Sequence, residues 1–255
     1  MNEQAPGGAT IDTATVRAVL FDMDGVLTDT ASVHQTAWAR LFDAALPALA
    51  PDAEHPPFST DDYRRLVDGR ARIDGVEAVL ADRGIALPRG DITDAPGNDT
   101  AWALANGKNE HFHQAIETDG VTTFASSIAV VDILREAGVP VAVVTASRNR
   151  GDILAAAGLT DRFDAAVDGV DIEDMGLPGK PDPATFVEAA RRLGVDPADA
   201  VVIEDAVSGV VAGAAGGFGL VIGVARHEAP DDLLAAGAHV VVSDLAEVSV
   251  VAPPG

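Results

Sequence analysis

The chain has no cysteine, which excludes disulfides, thiolate nucleophiles and thiolate metal sites together. Nor does it contain an apolar run of the length that crosses a bilayer. Its first residues, Met1-Asn-Glu-Gln-Ala-Pro-Gly-Gly8, lack the basic and apolar regions of a signal peptide, so the expectation is a soluble cytoplasmic protein. Positive charge is scarce: 17 Lys and Arg stand against 40 Asp and Glu, a formal charge of −23. That field repels nucleic acid and anionic membranes alike, and solubility, with some adaptation to salt, explains it without a partner. Scarcest of all is lysine, present only as Lys108 and Lys180 in an otherwise all-arginine set. A compact ammonium differs physically from a planar guanidinium. The two positions are therefore flagged, although composition alone also leaves stray surface lysines.

What is present reads as an α/β chain long enough for one large domain or a core with a smaller insert. Residues 1–13, rich in Gly, Ala and Thr, read as a flexible tail, and the first strand starts at Val16. From Ser32 to Leu46, Val33, Trp38, Leu41, Phe42 and Ala45 share a helical face. Pro47 to Pro57 carries four prolines and is expected to end that helix. Residues 60–87 read as helix broken at Gly69, Gly75 and Gly84, 88–100 as a loop, and 100–117 as a further helix. After Gly120, short β-branched strands near 139–144, 163–167, 200–203, 220–224 and 240–242 alternate with helices, the mark of a parallel sheet covered on both faces. The predicted division is a core of 14–31 and 116–255 with a helical cap, 32–115, inserted after the first strand.

In such sheets ligands bind at the carboxyl ends of the strands, so the polar residues there are the candidates for chemistry. The first strand ends in Phe21-Asp22-Met23-Asp24-Gly25. Residues i and i+2 of an extended segment point to one side, so Asp22 and Asp24 converge, and two close carboxylates repel unless a cation or a proton accompanies them. A second strand ends in Thr145-Ala-Ser147-Arg148-Asn149, another in Glu204-Asp205, and Lys180 lies in the loop Gly179-Lys-Pro-Asp-Pro183. Asp22, Asp205, Glu204 and a backbone carbonyl near Asp24 are hard oxygen donors suited to Mg²⁺; Glu204 alternatively only orients a ligand. Thr145 and backbone N–H groups can hold phosphate oxygens, and Lys180 adds positive charge. With no cysteine and no serine elbow, a carboxylate is the best available nucleophile. The implied chemistry is phosphoryl transfer through an aspartyl-phosphate at Asp22, with Asp24 as acid and base.

The four segments Asp22-Met-Asp24-Gly-Val, Thr145, Lys180-Pro181 and Glu204-Asp205 stand in the order and spacing of the haloacid dehalogenase superfamily. The chain resembles its phosphotransferase branch from about Val16 to Arg226, and within that branch it is most similar to the β-phosphoglucomutase group. The resemblance implies a Rossmann-like core with a small helical, C1-type cap. Asp29-Thr30-Ala-Ser-Val-His34 is similar to the linker leading to a cap histidine. Gly69-Arg-Ala-Arg72 is similar to a cap loop whose arginine clamps the distal phosphate, with Arg70 the competing choice, and Lys108-Asn109 to the cap's Lys-Asn pair. Thr145-Ala146-Ser147-Arg148-Asn149 is similar to the core segment that binds both phosphates, Arg148 standing where lysine is common. By the resemblance both lysines fall in the active site, Lys180-Pro181 is a cis peptide, and the run 168–179 is longer than usual.

It further implies Mg²⁺, a small sugar phosphate as partner, a monomer, and interconversion of β-D-glucose 1-phosphate and glucose 6-phosphate through β-glucose 1,6-bisphosphate. A sugar-phosphate phosphatase with the same residues and water as acceptor is the alternative, and a non-catalytic protein keeping the fold is a third. Several residues have plain readings. Trp38 reads as cap core, and His34 as either a substrate contact or an ordinary polar residue. His111 and His113, which point apart on a helix, read as solvated or packing side chains. Gly213 to Gly219 reads as a helix end and a tight turn rather than a dinucleotide loop.

Overall fold

A computed structural model describes residues 8–68 and 70–251. Four short strands, apolar but for Glu204 at the end of one, form its centre: β2 (Ala18–Phe21), β3 (Val141–Val144), β5 (Ala200–Glu204) and β6 (Leu220–Val224). With β4 (Ala165–Val167) and β7 (Val240–Val242) they make one parallel sheet in the order β4-β3-β2-β5-β6-β7. Strands buried on both faces need no alternation, and each face has its own cover. Leu20, Ala142, Val144, Val202 and Val221 pack with Phe186 and Ala189 of α8 (Ala184–Leu193), Val210 of α9 (Val207–Ala215) and Leu233 of α10 (Pro230–Ala235). The alternate residues Val19, Phe21, Val141, Val143, Val201 and Ile203 are equally buried and point the other way. The remaining core helices are α5 (Ala125–Glu136), α6 (Arg150–Ala156) and a six-residue helix, α7 (Gly169–Asp174).

The chain runs outward from β2 to β3 and β4, then returns to place β5 on the other side of β2. The switch in direction lies between β2 and β5, where a doubly wound sheet opens its crevice at the carboxyl ends. Phe21 pairs with Ile203 in register, and the Asp22 amide donates to the Ile203 carbonyl at 2.9 Å. Asp22 and Glu204 are thereby delivered to adjacent strand ends by the backbone ladder alone.

The helical unit, Thr30–Val121, contains α1 (Ala31–Leu49), α2 (Thr60–Leu66), α3 (Arg72–Asp82) and α4 (Ala101–Asp119). Trp38, Phe42 and Leu46 of α1 share an apolar cluster with Val76, Val79 and Leu80 of α3 and Leu104 of α4. Trp38 is buried and stacks on Phe42 at 5.4 Å, so it belongs to this core.

The structure corrects four local expectations. Residues 9–12 of the expected tail form β1 (Ala9–Asp12), paired in parallel with β8 (Val248–Val251), while residues 1–7 of it lie outside the described residues. Its burial alternates, with Ala9 and Ile11 inside, but a four-residue strand whose partner is at the far end of the chain leaves almost no local signal. Helix α1 runs through Pro47 and ends two residues later at Leu49; the proline gives up one amide bond back to residue 43, and the helix stops within a turn of it. Gly75 lies inside α3 instead of breaking it, buried among the helix's apolar residues, and a lone glycine in a helix weakens it without ending it. Among the described residues the core unit runs to Asp29 and resumes at Thr122, a few residues from the expected boundaries. The helix end at Ala215 with Gly217 at φ +73°, and the cis Lys180-Pro181 bond, agree with the expectations.

Candidate active site

At the switch point the carboxyl ends of β2 and β5 enclose a buried charge cluster. Lys180 Nζ donates to Asp22 Oδ1 at 2.5 Å and to Glu204 Oε1 at 2.6 Å, and it lies 4.8 Å from the Phe186 ring centre. Asp22, Lys180 and Glu204 are all buried. Burial drives the Asp22 carboxyl well above the ordinary carboxylate range; the Lys180 ammonium pulls it down, while Glu204 and Asp24 push it further up. For Lys180 burial disfavours the charge, but the two carboxylates outweigh it and hold the ammonium cationic. One cation between two anions leaves the cluster short of positive charge.

Glu204 is held from two sides. Its Oε1 accepts from Lys180, and its Oε2 accepts from the Ala206 amide at 2.7 Å. Each carboxylate oxygen keeps a second lone pair, so these bonds suit both roles expected of it, ligand to a metal and orienter of Lys180. A Cβ on Gly209 would run into the Glu204 carboxylate, so glycine on α9 is what lets this side chain lie against the helix.

The turn after β2 sets Asp24. Leu27 and Thr28 amides return to the Met23 carbonyl at 2.9 Å, and the Thr28 hydroxyl donates to the same oxygen at 3.1 Å. Asp24 Oδ2 accepts from Thr145 Oγ1 at 3.2 Å, linking the ends of β2 and β3. Gly25 has φ +91°, and a Cβ on it would overlap the Asp205 carboxylate. Asp205 therefore lies against the backbone beside Asp24. Gly25→Ala is expected to cost about 1–2 kcal/mol through the left-handed backbone and to displace Asp205. Urea unfolding and turnover of the variant should both fall, activity by the larger factor.

The loop after β3 is internally bonded. Thr145 Oγ1 accepts from the Ser147 amide at 3.0 Å, and Ser147 Oγ accepts from the Asn149 amide at 3.1 Å. Ala146 lies between them. Arg148 pairs with Glu173 of α7.

The Asp22 and Asp205 carboxylates and the Asp24 carbonyl are hard oxygen donors that could hold Mg²⁺, which takes one or two carboxylates and keeps several waters.

In the helical unit Lys108 is buried, with Nζ 2.7 Å from His34 Nδ1 and 4.4 Å from the Phe112 ring centre, while His34 stacks on Phe112 at 4.1 Å. Asn109 follows Lys108 on α4, and Arg72 opens α3. Arg70 is exposed and donates to the Arg65 carbonyl at 3.4 Å. His111 is exposed and His113 sets its ring edge to Phe112, as ordinary helix residues do. Both lysines of the chain are thus buried.

A model of the haloacid dehalogenase-like hydrolase family matches residues 16–217. The chain belongs to that family. It is an enzyme of the β-phosphoglucomutase-like branch: over 240 residues it is 45% identical to a β-phosphoglucomutase of Mycobacterium bovis, with 91% of each chain covered. Hexitol phosphatase A of Escherichia coli is 29% identical over 206 residues, covering 79% of this chain and 80% of that one. Among solved structures, a β-phosphoglucomutase from Clostridium difficile superposes with a TM-score of 0.70, covering 90% of this chain and 92% of the other. At 22% identity it shares the fold. No helix among the described residues is long and apolar enough to cross a membrane.

Residues that sequence reasoning passed over include Gly25 and Gly209, whose missing side chains make room for Asp205 and Glu204, and Glu173. Arg226 was also missed. It follows β6, lies 4.0 Å from the Phe124 ring and donates to Asp244 Oδ2 at 2.7 Å, bracing the segment that leads into α5.

Proposed function

We propose that the protein is a β-phosphoglucomutase, interconverting β-D-glucose 1-phosphate and glucose 6-phosphate by way of β-glucose 1,6-bisphosphate. The observation that carries the chemistry is the buried Asp22–Lys180–Glu204 cluster at the switch point, with Asp24 bonded to Thr145 beside it. The sugar rests on the identity to the Mycobacterium bovis enzyme across 91% of both chains.

An Asp22 oxygen forms a bond to phosphorus as the ester P–O bond breaks. Asp24 gives its proton to the departing sugar oxygen. The free hydroxyl of a bound sugar monophosphate attacks the aspartyl-phosphate, Asp24 takes its proton, and the bisphosphate forms as the Asp22 carboxylate is released; transfer of the bisphosphate's other phosphoryl group to Asp22 then leaves the isomeric monophosphate. Lys180 offsets charge on the phosphoryl oxygens and holds Asp22 in place; Thr145 and the Ala146 amide bind the transferring group. Mg²⁺, held by Asp22, Asp205 and the Asp24 carbonyl, would supply further charge stabilisation at phosphorus. In the core, Ser147, Arg148 and Asn149 are proposed to recognise the second phosphate. In the helical unit, taken by itself, His34, Arg72, Lys108 and Asn109 are the proposed substrate-binding residues.

The competing reading, a sugar-phosphate phosphatase, draws on the same residues and on the likeness to hexitol phosphatase A. Incubation with β-glucose 1-phosphate, Mg²⁺ and a trace of bisphosphate separates them. A mutase forms glucose 6-phosphate without matching phosphate release; free phosphate with no isomerised sugar would establish the phosphatase.

A further inference from the structure

We infer that Glu173 is a positioning residue for substrate binding: it holds the Arg148 guanidinium ready for the phosphate that is not being transferred. The inference rests on the phosphoryl-transfer reading above, in which Arg148 meets that phosphate. Arg148 Nη1 is ion-paired to Glu173 Oε2, and the two side chains are 26% and 38% exposed. Such a pair at a surface would mean little by itself, but the helix that carries Glu173 is braced for this contact.

Helix α7 buries only Gly169 and Ile172, while Val170 and Met175 are exposed, so it adds little to the core. Polar contacts hold it instead. Asp168 Oδ1 accepts from the Val170 and Asp171 amides at 2.9 and 3.1 Å, and Asp171 Oδ2 accepts from the Asp168 amide at 3.1 Å. Arg150 Nε binds Asp168 at 2.8 Å, and Arg192 ties Asp171 Oδ1 at 2.8 Å to the Ala166 carbonyl at 2.6 Å.

So held, α7 rests directly on the loop that follows β3. The Gly169 amide donates to the Ser147 carbonyl at 3.0 Å. A Cβ on Gly169 would stand 2.5 Å from the Ala146 carbonyl oxygen, 2.8 Å from Arg148 Cγ and 2.9 Å from the Arg148 amide. Glycine at this position admits the loop and helix to contact, and Glu173 then reaches Arg148 from a fixed support.

The chemistry suits arginine. Its planar fork carries five N–H donors, so one edge can serve a carboxylate while others remain for phosphate oxygens; an ammonium has no such division. A guanidinium already held by Glu173 has fewer rotamers to lose when phosphate binds. The expected signature is therefore a change in KM with kcat preserved.

The test is a double-mutant cycle in the full chain, with β-glucose 1-phosphate as substrate and thermal unfolding as the check on folding. Glu173→Ala should raise KM about three- to tenfold with kcat within about twofold. Glu173→Gln, which keeps an acceptor for Arg148, should restore most of the KM. Arg148→Ala should raise KM at least as much, and adding Glu173→Ala to it should cost nothing further. An unchanged or lowered KM in Glu173→Ala, or independent effects in the double variant, would overturn the inference. If Arg148→Ala itself leaves KM unchanged, the phosphate contact assigned to Arg148 fails instead, and Glu173 with it.

Discussion

Asp22→Asn should abolish turnover, by at least about 10⁴-fold in kcat, as removal of a covalent nucleophile does, while leaving the protein as stable as before or more so. Both halves follow from the same cluster. The amide cannot form an acyl phosphate, yet it keeps the shape and an oxygen for Lys180, 2.5 Å away in the parent. Burial, Glu204 and Asp24 all oppose an anion at position 22, and only Lys180 favours it. Replacing that anion leaves Lys180 paired one-to-one with Glu204. Function here is maintained against a local electrostatic cost. Urea unfolding of both proteins beside a progress curve measures the pair of effects, and a loss of stability larger than about 1 kcal/mol would show that the cluster is structural.

The second large effect belongs to Lys180. Lys180→Ala leaves Asp22 and Glu204 as two buried carboxylates with no ammonium between them. Breaking a buried pair from one side typically costs about 3–5 kcal/mol, and removal of a cation acting on the phosphoryl oxygens should cost about 10²–10³ in kcat. The two losses separate by a second substitution. In Lys180→Ala/Glu204→Gln one of the stranded charges is gone, so much of the stability should return while kcat stays low. Denaturation midpoints and kcat for the parent and the two variants decide it. Recovery of kcat along with stability would mean that Lys180 acts only by holding the fold.

Much of this site was legible from the residues because strand ends are places where chain order becomes space. An apolar strand stopping at Asp22, another at Thr145 and a third at Glu204-Asp205 can converge only if the strands are parallel neighbours, and the sheet order makes them so. The rarity of lysine also carried information: the two lysines are buried, one between Asp22 and Glu204 and one against His34. What escaped depends on contacts between distant segments. The strand β1 has its partner at the far end of the chain, and four residues of weak alternation do not reveal it. Helix α7 has a polar capping box and little apolar face, so periodicity passes over it. The engagement of Glu204 by Lys180 and the Ala206 amide is a matter of side-chain contacts that residue type does not reveal. Gly25, Gly169 and Gly209 matter for side chains they lack, which a sequence shows only as glycine.

The most direct test of phosphoryl transfer at Asp22 is rapid quench of a single turnover, followed by borohydride reduction of any acyl phosphate and peptide mapping by mass spectrometry. The account predicts a reduced side chain at Asp22 alone, formed within the turnover time, discharged when sugar monophosphate is added, and absent from Asp22→Asn. Turnover at the normal rate with no modification at Asp22, or a phosphoryl group carried by another residue, would contradict it.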